Sequence, residues 1–168
     1  MIFKSASPSS TKKIAADFAK KILKNKKSKN KLALVIGLVG NLGAGKTIFI
    51  QGLARALGVK EKITSPTFII MRSHKLPTRR SLQTTRPPSL AKLGGRAPYK
   101  LLTHLDAYRL KNIKETKILN LKRIIENPEN IILIEWAEKL KKMLPKKTIW
   151  INFEHGGKEN ERIIKIKI

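Results

Sequence analysis

The densest chemistry in the chain sits in eight consecutive residues, Gly40-Asn41-Leu42-Gly43-Ala44-Gly45-Lys46-Thr47. They fit G-x-x-x-x-G-K-[ST], the pattern of a phosphate-binding P-loop. Glycine lets the backbone adopt conformations closed to other residues and brings its N–H groups close to an anion. Those N–H groups form a nest, to which the following helix adds the positive end of its dipole. In such a loop Lys46 reaches the β- and γ-phosphates, and the Thr47 hydroxyl ligates Mg2+. Two carboxylates further on suit the same task. Tyr99 to Asp106 reads as a strand ending on a carboxylate. Ile131-Ile132-Leu133-Ile134 closed by Glu135 has the shape of a Walker B strand, which delivers an acid to the metal side of a P-loop. Lys46, Asp106 and Glu135 are the candidate catalytic groups, and Thr47, Glu135 and Asp106 the candidate metal ligands. Either acid has a plainer reading as a helix cap or surface group. Only 11 acids occur in the whole chain, which favours function.

Between these landmarks lies Thr64-Ser65-Pro66-Thr67, a stiff polar segment. Its residues alone favour an ordinary turn over a switch-like loop approaching a γ-phosphate. His104 is balanced between a packed core histidine and a site residue. The segment Asn-Lys-x-Asp expected of a guanine site is absent beyond the loop, so adenine is favoured.

The elements that must hold these residues follow from hydrophobic spacing. Leu32 to Val39 enters the glycine loop as a buried strand, and Ile48 to Leu57 leaves it as a helix ending at Gly58. Residues 9–25 form an amphipathic helix, with Ser9, Ser10 and Thr11 as its caps. Strands are expected at 68–73, at 99–106 continued through 107–110, and at 131–136. Helices are expected at 113–126 and 137–144. Residues 148–153 and 162–168 alternate as a hairpin about Gly156-Gly157. The sum is an α/β fold: a P-loop NTPase-like mixed β-sheet flanked by helices, with a C-terminal antiparallel hairpin. One domain spans 1–168. Residues 75–98, rich in Arg, Pro, Ser and Thr, form an exposed, disordered insertion, either without a dedicated role or an arm for RNA phosphates.

Composition bounds the rest. A chain of 168 residues buries a sizeable core, and the absence of cysteine excludes disulfides, zinc-thiolate sites and thiol nucleophiles. No apolar h-region follows Lys4, and no run of eighteen apolar residues occurs. A cytoplasmic protein without membrane contact is expected. The net charge of +26 points to polyanions. It arises equally well from lysine-rich composition across a proteome or from a basic surface that contacts tRNA.

Four landmarks together, Gly40 to Thr47, Thr64-Ser65-Pro66-Thr67-Phe68, His104-Leu105-Asp106-Ala107-Tyr108-Arg109-Leu110 and Ile134-Glu135-Trp136, resemble the TsaE (YjeE) family in order and spacing. The resemblance implies a small ATPase, using ATP and Mg2+, needed for threonylcarbamoyladenosine (t6A) at position 37 of tRNAs. It implies docking on the complex of TsaD, the transferase, with TsaB, which ATP hydrolysis resets between cycles. By position, Gly40, Asn41, Leu42, Gly43, Ala44, Gly45, Lys46, Thr47 and Ile48 would hold the nucleotide. Thr64, Ser65 and Thr67 would form a switch-like loop. Asp106 would stand near the γ-phosphate or metal, Trp136 at the site or a partner surface, and Ser10 and Thr11 beside the adenine. Asn41 and Ile48 depart from the family's usual acid and second threonine, and Lys117, Asn120, Lys122 and Arg123 replace a usually acidic helix. Two other readings compete: a small-molecule P-loop kinase with Arg79, Arg80, Arg86 and Arg96 as a lid, and a basic RNA-binding module with a vestigial nucleotide site.

Overall fold

The computed structural model describes residues 1–24, 31–67, 69–77, 99–110 and 119–167. Seven strands form one sheet: β1 (Ile2–Ser5), β2 (Leu34–Val39), β3 (Met71–Lys75), β4 (Leu101–Asp106), β5 (Asn130–Glu135), β6 (Ile149–His155) and β7 (Arg162–Lys167). Their order is β1-β7-β6-β2-β5-β4-β3. The middle four run parallel, while β3, β7 and β1 pair antiparallel at the edges. The helices are α1 (Pro8–Lys24), α2 (Lys46–Ala56) and α3 (Leu121–Ile125), with a 3-10 helix at Ala137–Met143. This is the expected mixed sheet flanked by helices, with the C-terminal strands antiparallel.

The central strands are apolar because both faces are covered. All six residues of β5 are buried. Alternation then divides its side chains between two layers. Ile131 and Leu133 pack with Phe18, Phe49 and Leu53 beneath α1 and α2. Ile132 and Ile134 pack on the opposite face with Leu121, Ala137 and Leu140. By the same period, Glu135 belongs to the α2 side. On β4, Leu102 packs with the α2 layer and Leu105 with the other, so His104 and Asp106 share the face of Glu135.

The α1 helix begins where Ser7 accepts from the Ser10 N–H at 3.1 Å, with Pro8 in the first turn, so the cap lies two residues before Ser9. Ala15, Phe18, Ala19 and Ile22 form its buried stripe. It crosses α2 closely at Gly52, where a Cβ would stand 2.6 Å from the Lys12 Cα and 2.7 Å from its carbonyl oxygen. Phe49 anchors the layer, edge-on to Phe153 at 5.6 Å and tilted against Phe18 at 6.0 Å.

Several local expectations are corrected. The N-terminal residues form β1, which closes the sheet by pairing with β7. The third strand begins at Met71, because the Ile69 and Ile70 N–H groups both donate to the Pro66 carbonyl and Ile70 takes φ 65°. It runs on to Lys75, and Leu76 is buried with its N–H bonded to the Lys100 carbonyl, so these residues belong to the fold. The fourth strand begins at Leu101, and 107–110 turns away instead of continuing it: the Ala107 N–H donates to the Glu135 carbonyl and that of Leu110 to Ala107. The segment after Trp136 winds as a 3-10 helix, not an α-helix. Of the helix expected at 113–126, α3 is the described part, and residues 111–118 lie outside the described residues, as do 25–30, Phe68, 78–98 and Ile168. No helix among the described residues is long and apolar enough to cross a membrane.

The crossing at Gly52 has a measurable consequence. Gly52→Ala forces α1 and α2 apart against backbone atoms that have nowhere to move, and should destabilise the fold by about 1–3 kcal/mol. Urea denaturation should show a lowered midpoint with an unchanged slope; an unchanged midpoint would mean that the helices do not meet there.

Candidate nucleotide site

The glycine loop leaves the end of β2 and turns back into α2. Gly40 has φ 145°, and a Cβ there would run into the Phe153 carbonyl of β6. Gly43 and Gly45 have φ of 73° and 96°, the left-handed region that glycine enters without strain. Gly45 is the N-cap of α2, so the helix begins on Lys46 with no side-chain cap on its first amides. Leu42 to Ile48 line a cavity of about 350 Å³ with Ser65, Thr67, Asp106, Tyr108, Glu135 and Trp136. Arg162, from β7, holds the loop's far side by donating to the Gly43 carbonyl from Nε at 3.3 Å and Nη2 at 3.1 Å.

Lys46 is buried, 4% exposed. Its ammonium donates to the Gly40 carbonyl at 2.6 Å and the Asn41 carbonyl at 2.9 Å, and lies 4.0 Å from the centre of the Trp136 ring. Burial pushes its pKa down, and the negative charges of Glu135, Glu138 and Asp106 oppose that shift. Trp136 reaches this position because it leaves β5 in a left-handed turn, φ 57°, that swings its ring out of the sheet. Tyr108 flanks it, ring centres 5.2 Å apart. The Lys139 ammonium, donating to the Tyr108 carbonyl, pins this pair to the 3-10 helix.

The Thr47 hydroxyl lies 3.0 Å from both oxygens of Glu135. Glu135 reaches it because β5 lies next to β2 with Leu38 opposite Glu135. On its other side β4 places His104 within reach, and His104 Nε2 stands 2.9 Å from Glu135 Oε1, with both side chains buried. A carboxylate only accepts, so Nε2 carries the proton of that bond. The His104 Nδ1 finds no hydrogen-bond partner among the described residues.

Asp106 lies opposite Glu135 in the same parallel ladder. Its Oδ2 accepts from Ser65 Oγ at 2.8 Å and Thr67 Oγ1 at 2.5 Å, and its Oδ1 from the Tyr108 N–H at 2.9 Å. The segment around Pro66 is thus gathered onto the carboxylate through its hydroxyls. Glu135 faces the glycine loop and Asp106 faces the Pro66 segment.

These residues fit a magnesium–triphosphate. A hydroxyl and a carboxylate converge where the glycine loop enters α2, with a buried ammonium beside them. No group of three His, Asp or Glu side chains among the described residues would hold a metal unaided. Mg2+ at Thr47 and Glu135 therefore needs oxygens from the phosphates, its ordinary manner of binding. Among the other residues singled out in the sequence, Gly40 and Asn41 approach the site through their carbonyls. Thr64 is exposed and outside the cavity lining. Thr11 is buried on α1, its hydroxyl 2.8 Å from Ser5 Oγ and away from the lining. Tyr108 and Arg162 were not singled out for the site. Nothing in local spacing distinguishes Arg162 from the other cations of the C-terminal strand.

Residues 5–164 match the family model of the threonylcarbamoyl adenosine biosynthesis protein TsaE. The chain is 33% identical over 129 residues to the tRNA threonylcarbamoyladenosine biosynthesis protein TsaE of Treponema pallidum, covering 77% of this chain and 78% of that one. It is 30% identical to the protein of the same name from Bacillus subtilis, covering 77% and 66%. The crystal structure of Bacillus subtilis YdiB has a similar fold, with a TM-score of 0.66 at 24% identity over 99% of this chain and 83% of that one. With the family model matched from β1 to β7 and the glycine loop, Asp106 and Glu135 gathered at one cavity, the chain belongs to the TsaE family.

Proposed function

We propose that this chain is the Mg2+-dependent ATPase of tRNA t6A biosynthesis, weak alone and stimulated by the TsaB–TsaD transferase complex. One observation carries the reading: the Thr47 hydroxyl and both Glu135 oxygens meet at 3.0 Å where the glycine loop becomes α2. That is the pairing a P-loop uses to share a metal between its hydroxyl and a Walker B acid. The relatives supply the pathway by name.

The chain's own residues divide the work. The loop amides and the start of α2 bind the phosphates. Lys46, steadied by the Gly40 and Asn41 carbonyls, reaches the β- and γ-phosphates. Thr47 and Glu135 hold the metal, which when bound neutralises phosphate charge. Glu135 Oε1 accepts from His104, and the Thr47 hydroxyl lies 3.0 Å from both carboxylate oxygens, so the acid is held from two sides as it serves the metal. Asp106 keeps Ser65 and Thr67 beside the γ-phosphate position. Trp136 and Tyr108 wall that end of the cavity and limit bulk water. With so little covalent work for the protein, positioning and charge supply the rate.

Phosphate release measured with TsaB and TsaD present tests the reading. The wild-type chain should exceed its own rate without partners, and Lys46→Ala and Glu135→Gln should each lose about 100-fold or more. Equal release by wild type and Lys46→Ala with both partners present would remove the proposal.

His104 bonds Glu135 and does not line the cavity, so it acts as a positioning residue for Glu135. His104→Ala should lower kcat about 10–100-fold with little change in the KM for ATP. His104→Gln, whose amide can still donate to Glu135, should recover much of the loss. A purely structural role predicts reduced stability with no selective rescue by Gln, which thermal unfolding alongside the kinetics would reveal.

A further inference from the structure

A concavity larger than the nucleotide cavity lies away from the glycine loop. It is a groove of about 1030 Å³ between α1 and the end of α2, closed beneath by residues 59–63. Its floor is apolar and small: Ala16, Gly52, Ala56, Val59 and Ile63. The groove includes the close crossing at Gly52, where α1 and α2 touch and where Lys12 and Gly52 both line it. Its rims are basic on separate elements. Lys12, Lys13 and Lys20 stand on the α1 side, and Arg55, Lys60 and Lys62 on the other. Glu61 is the one acid among the lining residues, and its carboxylate is taken by His74 at 2.6 Å.

Two features set this groove apart from an ordinary solvated lysine face. First, most of its cations lack a carboxylate partner among the described residues. Asp17 neutralises Lys20 at 2.7 Å, but no carboxylate among the described residues pairs with Lys12, Lys13, Arg55, Lys60 or Lys62. Five like charges around one concavity repel each other, and a polyanion relieves that repulsion. Second, the groove is held open by specific bonds. Gln51 Nε2 donates to the Ile63 carbonyl at 3.0 Å, fixing the 59–63 segment to α2, and the Glu61–His74 contact ties the same segment to β3. The two rims are therefore set before a ligand arrives.

We infer that this groove binds the phosphate backbone of RNA. Flexible cations on two facing rims track a repeating negative charge without reading bases, and the small apolar floor leaves room for the strand. An acidic protein surface would also meet the charge, and the polyglutamate competition below distinguishes that outcome. The choice of RNA rests on the t6A reading, because tRNA is the polyanion of that pathway. The same 59–63 segment leads directly into Thr64 to Thr67, so RNA held here lies against the segment that Asp106 gathers at the nucleotide site.

The test is fluorescence anisotropy of an unmodified tRNA transcript across a salt series, without nucleotide. The full chain should bind with a steep negative dependence of log K on log salt. Replacing Lys12, Lys13, Arg55 and Lys62 by Gln should reduce that slope by about three and weaken binding at least about 30-fold near 0.1 M salt. Replacing Lys122, Lys141, Lys142 and Lys146 by Gln removes four cations from the opposite layer and should leave most of the affinity. Equal losses in the two variants would overturn the site, as would displacement of the groove-bound transcript by polyglutamate as readily as by unlabelled tRNA at equal charge. Circular dichroism checks that both variants fold. The groove variant should hydrolyse ATP at the wild-type rate, so failure of the ATPase reading and failure of the RNA site give different results.

Discussion

Glu135 can stand beside Thr47 only because β5 lies between β2 and β4 in one register, and the rest of the site depends on that constraint. The pairing of Leu38 with Glu135 brings the acid to the end of the glycine loop, and the pairing of Asp106 with Glu135 brings the second acid beside the first. A slip of one residue would turn Glu135 to the opposite layer and replace it with Ile134. The register is secured by the four fully buried residues Ile131 to Ile134, which interlock with both layers. Two carboxylates buried at 3% exposure are expensive unless bonded. Here Glu135 accepts from two donors, Thr47 and His104, and Asp106 from three, Ser65, Thr67 and Tyr108. The same bonds that make burial tolerable also aim the oxygens, so stability and function share one set of contacts.

Around this frame the loops act as holders. Pro66 turns the chain, and its flanking hydroxyls land on Asp106. The left-handed turn at Trp136 carries an aromatic ring from the end of β5 to Lys46. Arg162 reaches from the C-terminal strand to the glycine loop, which ties the hairpin to the site and explains why the sheet's outer strands matter to it.

Legibility in the sequence followed the range of the interaction. The glycine loop, its strand and its helix are local and contiguous, and their spacing specifies them. Asp106 and Glu135 were visible because an acid ending a strand-like run is a local contrast. His104 was not resolved, because its partner is 31 residues away and is adjacent only through strand register. The strand at Ile2–Ser5 has only four residues, and its pairing partner lies at the other end of the chain. The false continuation through Ala107 to Leu110 arose because apolar residues followed Asp106, while the bond that ends the strand goes to the Glu135 carbonyl. Ile70 likewise looks like strand until its left-handed φ, imposed by the turn at Pro66, is known.

We propose that the glycine loop, Glu135 and Asp106 form a working ATP site serving t6A synthesis. The most direct measurement is the t6A content of bulk tRNA, by mass spectrometry of nucleosides, in a bacterial strain depleted of its own TsaE and supplied with this chain. Wild type should restore t6A, and Lys46→Ala expressed to the same level should leave it depleted. Restoration by Lys46→Ala as complete as by wild type would contradict the account.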